Sequence, residues 1–240
     1  MNNSMFRVVA GCMTLALLSG CARSTEGTAA DAGSSEPAQT STSVIPSTTA
    51  AATPTSSEDM NSLPAYGVVE TTKRPVTAGE TVCEPETAPA NTVEARSAAA
   101  GSPTVIIGVP DGFAPGAQPE GDVALNLTGP DGMTGTVTIA PTTLDATDAF
   151  RQYADDRTAD YEITSVSLLP SELCDYSGQE LMGILADQPG QGIDYADRIV
   201  HVWTDNGDFL IAVRFQAPNG TPGLDSAKSV MLSDFGIRMP

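Results

Sequence analysis

Lysine is nearly missing from this chain, at Lys73 and Lys228 only; histidine occurs once, at His201, and tryptophan once, at Trp203. With 11 basic against 30 acidic side chains the formal charge is −19, so nucleic acid and anionic head groups are poor partners for the surface as a whole. A single histidine cannot build the usual zinc site, which draws on several His or Cys ligands. No Gly-x-Ser-x-Gly elbow occurs, and the glycines sit in turns rather than between a strand and a helix, so neither an esterase nucleophile nor a phosphate loop is present. The acidic residues are too numerous to single out a glycosidase pair, and Asp194, Asp197, Asp205 and Asp208 lack calcium-loop spacing. These absences leave no catalytic residue, metal or cofactor to nominate.

What is present begins at the N-terminus. Arg7 supplies a positive start, and the apolar run Val8–Leu18 is too short to span about 30 Å of hydrocarbon but suits a signal-peptide core. Leu18-Ser19-Gly20-Cys21 then reads as a bacterial lipobox. Residues 1–20 are expected to be removed, with Cys21 carrying diacylglycerol through its thiol and a fatty acid such as palmitate at its new amino group; stable anchoring takes two or more such chains. An ordinary secretory signal with an incidental cysteine is the alternative. The expected location is the outer face of the cell membrane, within the envelope, with shedding of a fraction left open.

Residues 21–62 are Ser, Thr, Ala, Pro and Gly with hardly a large apolar side chain, a composition that cannot offset the entropy of ordering. As a tether, about 40 flexible residues give a typical reach of about 35 Å and a limit of about 140 Å. Its Thr/Ser-Pro stretches are also candidates for O-glycosylation. The segment 63–103 reads as an irregular, Pro/Ala-rich lead-in, and 104–240 as one globular α+β domain.

Within that domain, 104–109, 123–127 and 135–139 read as strands, the last two as a hairpin through Gly129-Pro130-Asp131-Gly132. From Leu144 to Asp160 the period changes: Ala146, Ala149, Phe150, Tyr153 and Ala154 share a helical face, with Arg151, Asp155, Asp156 and Arg157 opposite and Thr142, Thr143 or Asp145 as cap. Further strands are expected at 161–168, 179–186, 193–203 and 209–215, with a hairpin through Asn206-Gly207. A last helix is expected over 222–235, capped by Thr221 with Pro222 in its first turn. This order predicts a mostly antiparallel sheet packed with helices.

After processing, Cys83 and Cys174 are the remaining thiols, in a compartment where disulfides persist. They are expected to pair; neither lies in a Cys-x-x-Cys, which argues against a redox or metal role. His201, flanked by Val200 and Val202, shares a strand face with Ile199 and Trp203. It reads as a hydrogen-bonded structural residue, and only a polar cluster in a cleft around it would support an enzyme.

The stretches Phe150-Arg-Gln-Tyr-Ala, Gly178-Gln-Glu-Leu-Met-Gly-Ile-Leu, Asp194-Tyr-Ala-Asp-Arg-Ile-Val-His-Val-Trp and Phe209-Leu-Ile-Ala-Val-Arg-Phe, with the final 222–235 helix, resemble the LpqN/LpqT family of mycobacterial lipoproteins over about residues 104–240. The resemblance implies a Mog1/PsbP-like α/β/α sandwich in an actinobacterial envelope, used for binding rather than catalysis, with no catalytic residues to carry over. The expected function is therefore a non-catalytic binding or accessory module for an envelope lipid, glycolipid or protein partner. A structural or antigenic surface lipoprotein is the alternative, and a hydrolase comes last. A ligand groove, if formed, is expected at a helix–sheet boundary near Met182, His201, Trp203 and Phe209; the competing reading places the apolar ones in the core.

Overall fold

The computed structural model describes residues 66–70 and 72–240, all within the compact unit Ser56–Pro240. The expected signal peptide, Cys21 and the expected tether lie outside the described residues.

The large sheet is antiparallel and seven-stranded. Its members are β4 (Ala114–Pro115), β5 (Val123–Thr128), β6 (Thr134–Thr142), β7 (Ile163–Pro170), β8 (Ser177–Ala186), β9 (Ile193–Thr204) and β10 (Gly207–Pro218), in the order β4-β5-β6-β10-β9-β8-β7. β9 and β10 form its middle and are buried on both faces, as strands covered from two sides are. Their connection is Asp205-Asn206, with Thr204 opposite Gly207, so the loop sits one residue earlier than Asn206-Gly207. The Thr204 hydroxyl accepts from Asn206 N–H at 3.1 Å and donates to the Gly207 carbonyl at 3.0 Å, which holds that register.

On one face lies α1 (Ala146–Thr158), started by Asp145, whose carboxylate accepts the Asp148 N–H at 2.9 Å. Phe150 from α1 packs with Leu181, Leu185, Tyr195, Ile199 and Ala212. The opposite face is covered by a four-stranded sheet together with α2 (Leu224–Met231). The small sheet runs β1-β11-β3-β2, from β1 (Thr81–Cys83), β2 (Thr92–Arg96), β3 (Thr104–Gly108) and β11 (Gly236–Arg238). The main core, including Val105, Ile107, Val137, Val200, Ile211, Phe215, Met231, Phe235 and Ile237, lies between the two sheets. Gly135 leaves room for the end of the Met231 side chain of α2, whose sulfur lies 2.4 Å from where a Cβ would stand.

The fold is α+β with mostly antiparallel sheets and two helices, and it differs from the expectation in four places. The lead-in 63–103 is not irregular throughout, because β1 and β2 lie in it and complete the small sheet. That sheet shares one face with α2, where a simple α/β/α sandwich would place helices alone. The last helix is shorter than 222–235: it starts after Gly223, at φ 75° with no side-chain cap, while the Thr221 hydroxyl is turned back to the Pro218 carbonyl at 2.6 Å. Phe235 leaves the helix for the core ahead of β11. Finally, Arg157 is buried beneath α1 rather than on its solvent face, since it follows Phe150 by seven residues and returns to the same side.

Candidate functional site

Strand pairing decides which of the expected groove residues can meet. Met182 lies opposite Ala196, and Phe209 opposite Val202, so both project toward the α2 side; His201 and Trp203 alternate with those positions and project toward the α1 side. The four residues therefore do not share one groove. Phe209 is a core residue at 2% exposure, which corrects its assignment to a ligand surface.

His201 and Trp203 line a depression of about 540 Å³ beside the start of α1, with Lys73, Asp145, Ser177 and Asp208. The side chains of His201, Ser177 and Lys73 are already engaged here, whereas the Trp203 indole N–H is buried without a partner. The His201 Nε2–H donates to the Leu144 carbonyl at 3.0 Å, and Ser177 Oγ accepts from Val69 N–H at 3.0 Å and donates to Val69 O at 3.3 Å. Lys73 is paired with Asp208 at 2.6 Å. Histidine and serine are neighbours across β8 and β9, yet each is turned to backbone, fastening respectively the entry to α1 and the lead-in. Trp203 is buried against Tyr176, with ring centroids 5.9 Å apart. Burial raises the Tyr176 pKa to about 12.

Next to them, Cys83 and Cys174 form a disulfide with Cα atoms 5.6 Å apart. It ties the end of β1 to the loop joining β7 and β8, where Cys174 and Asp175 both take positive φ. In the chain-entropy model, closing a loop of 91 residues stabilises the fold by about 4–5 kcal/mol.

β9 also carries two adjacent buried charges, Asp197 toward α1 and Arg198 toward α2. Asp197 accepts from Arg157 Nε at 2.7 Å and from the Tyr153 hydroxyl at 2.9 Å, and the Arg157 guanidinium lies over the Tyr195 ring at 4.7 Å. Burial pushes the Asp197 carboxyl above its ordinary range against the pull of Arg157, and burial beside that carboxylate pushes the Tyr153 hydroxyl well up. Arg198 donates to the carbonyls of Leu232 and Glu172 and pairs with Asp234 at 2.8 Å. Both clusters fasten elements to the sheet. The alternation of apolar residues around Asp197-Arg198 hid them, because a charged pair inside an apolar strand reads equally well as a solvated kink.

The open surface lies elsewhere. α2 packs on β10 and β3, leaving the α2-side face of β7 and β8 uncovered. A groove of about 530 Å³ runs there, with Ala196 and Phe215 in its floor, Ser165, Ser167, Met182 and Ile184 on the strand side, and Leu224 and Lys228 on the helix side. Met182 is thus the one expected residue that lines it. Exposed apolar side chains cluster at this edge: Ile163 45%, Val166 42%, Leu168 38%, Leu169 47% and Ile184 40%. The signal for it in the sequence was the uncharged run Ile163–Pro170, which reads as strand but not as edge until the strand order is known.

Among the described residues no group of three or more His, Cys, Asp or Glu side chains is placed to hold a metal. No helix among them is long and apolar enough to cross a membrane. Among solved structures the chain is similar to LpqN, involved in cell envelope biogenesis of Mycobacterium tuberculosis, with 17% identity and a TM-score of 0.49, covering 62% of this chain and 91% of that chain. No family model matches the chain, and no curated protein matches it.

Proposed function

We propose that this protein is a lipid-anchored, non-catalytic binding module of the bacterial cell envelope, and that its domain binds through the groove between β7–β8 and α2. The observation that carries the reading is the uncovered apolar surface at that edge, where Met182, Ile184 and Leu224 converge beside a buried floor. Contiguous apolar surface on a soluble domain marks an interaction site more often than a passive one. The anchor rests on the lipobox ending in Cys21 and the tether after it, and the sandwich would be a variant of the Mog1/PsbP-like arrangement in which a small sheet joins α2. A non-catalytic role is supported by the engagement of His201 and Ser177 with backbone groups. Both side chains serve the fold where a nucleophile and base would have to face a substrate.

The test uses the full-length chain with Nile red as an uncharged apolar probe. Probe fluorescence should rise on binding, fall to background in Met182→Lys and in Leu224→Lys, and persist in His201→Gln. Undiminished binding in both lysine variants, with folding verified by circular dichroism, would remove the groove from the account. Anchoring is read separately: Cys21→Ser should move the protein from the membrane to the soluble fraction.

A further inference from the structure

We propose that β7 is a docking edge that takes up an extended polypeptide segment of another protein as an added strand, the segment being apolar at its centre and basic at its ends. The proposal rests on the reading of this domain as a binding module and names its partner class.

β7 is the terminal strand of the large sheet, and all eight of its residues are exposed. In an antiparallel ladder alternate residues of an edge strand direct their N–H and C=O groups outward, so about four residues of β7 present unpaired backbone to an incoming strand. Proteins normally guard such edges with Lys, Pro, bulges or a covering element. β7 carries no charge from Ile163 to Leu169, and its one proline, Pro170, stands at the end. Register puts Val166 and Leu168 on the α1 side, opposite Gly183 and Leu181, and Ile163 and Leu169 on the α2 side, opposite Ala186 and Glu180. Apolar surface therefore borders the edge on both faces. A strand with apolar side chains on both faces covers it and pairs the backbone at once. An acyl chain fills the groove but leaves the outward N–H and C=O groups unmatched.

Charge selects the partner. Residues 158–196 hold seven Asp and Glu and no Lys or Arg. Glu162 and Asp187 flank the end where Ile163 meets Ala186, and Glu172 and Glu180 flank the end where Leu169 meets Glu180. None of these four forms an ion pair among the described residues. The two acidic ends stand about 20 Å apart along the strand, a spacing that basic residues bracketing a short apolar core would meet. A second copy of the chain would instead bring the same carboxylates together, since antiparallel self-pairing about Val166 sets the Glu162 end against the Glu180 end.

The test measures binding of a fluorescein-labelled Lys-Lys-Val-Thr-Val-Ile-Val-Lys-Lys peptide to the full-length chain by anisotropy, with amide hydrogen exchange followed in the same complex. The expected result is binding that slows exchange at Thr164, Val166 and Leu168, the residues whose N–H groups face away from β8 in this register. It should weaken by about tenfold or more in Leu168→Lys, and be lost when the central peptide amides are N-methylated. Glu180→Gln with Asp187→Asn should flatten its salt dependence. Equal binding of the N-methylated peptide, or protection confined to residues outside β7, would overturn the added strand. So would a stable dimer in sedimentation that Leu168→Lys dissociates, which assigns the edge to a second copy. Failure of the peptide with Nile red still held in the groove sinks this inference and leaves the binding-module reading standing; failure of both sinks both.

Discussion

The two edges of the large sheet are treated in opposite ways. At one, β4 is two residues long and ends in Pro115, which has no N–H to offer. Gly116 N–H then bonds the Asn126 carbonyl at 2.9 Å, and the Asn126 side chain reaches the Ala117 carbonyl at 3.2 Å, so the chain seals the flank of β5 with itself. Phe113, just before β4, packs on Phe215 with ring centroids 6.1 Å apart. At the other edge, β7 is four times as long, uncharged and open along its length. An unguarded edge is a liability, and one sheet that guards one edge while leaving the other open points to a use for the second.

The attachment of the β7 edge to the rest of the domain provides the sharpest ways to break this comparison. The disulfide holds the β7–β8 loop to β1, so reduction, or Cys83→Ser with Cys174→Ser, should cost about 4–5 kcal/mol in chemical denaturation. Hydrogen exchange should then quicken in β1 and the β7–β8 loop before it does in β4 and β5. Equal acceleration at both edges would mean that the bond acts on the unfolded chain alone. Asp197→Ala strands the Arg157 charge under α1 and should cost about 3–5 kcal/mol, again with earlier opening on the β7–β8–β9 side; a urea titration that shows less than about 1 kcal/mol would contradict a buried pair of this kind.

A smaller effect is expected at Gly183. A Cβ there would lie 1.9 Å from the Ser165 carbonyl, which also accepts the Tyr195 hydroxyl at 3.3 Å, while Ser165 Oγ takes the Ile184 N–H at 2.9 Å. Gly183→Ala should therefore push β7 away from β8 at a cost of about 1–3 kcal/mol, and lower peptide binding at the edge if the added-strand proposal holds. Alkaline pH acts in the same part of the fold. Tyr176 keeps its proton more tightly folded, at about 12, than its ordinary 10.0. Its contribution is full below pH 10 and is lost as pH rises through about 12; Tyr176→Phe should flatten that fall in a melting-temperature series. The smallest change belongs to the guarded edge: Ala114→Thr should shift stability by less than about 0.5 kcal/mol and leave peptide binding unchanged.

Much of the fold was legible in the chain. The hairpin of β5 and β6, the helix α1, the pair β9 and β10, and the Cys83–Cys174 bond all follow from alternation, helical period, turn residues and cysteine count. The short strands β1, β2, β4 and β11 were not legible, because two to five residues with mixed polarity carry too little periodicity to stand out from loop. The groove was legible in one residue of four. Met182, His201, Trp203 and Phe209 share composition and strand context, but a one-residue offset in alternation sends two to each side of the sheet.

By itself the sequence determined the acidic charge, the α+β class and the pairing of Cys83 with Cys174, since each depends on composition or on local spacing. Only the tertiary structure decided that β7 is an edge, that Arg157 and Asp197 meet under α1, and that the open apolar surface lies beside α2. Those facts depend on strand order and register, which bring together residues dozens of positions apart, and neither is encoded in the local pattern of any one segment.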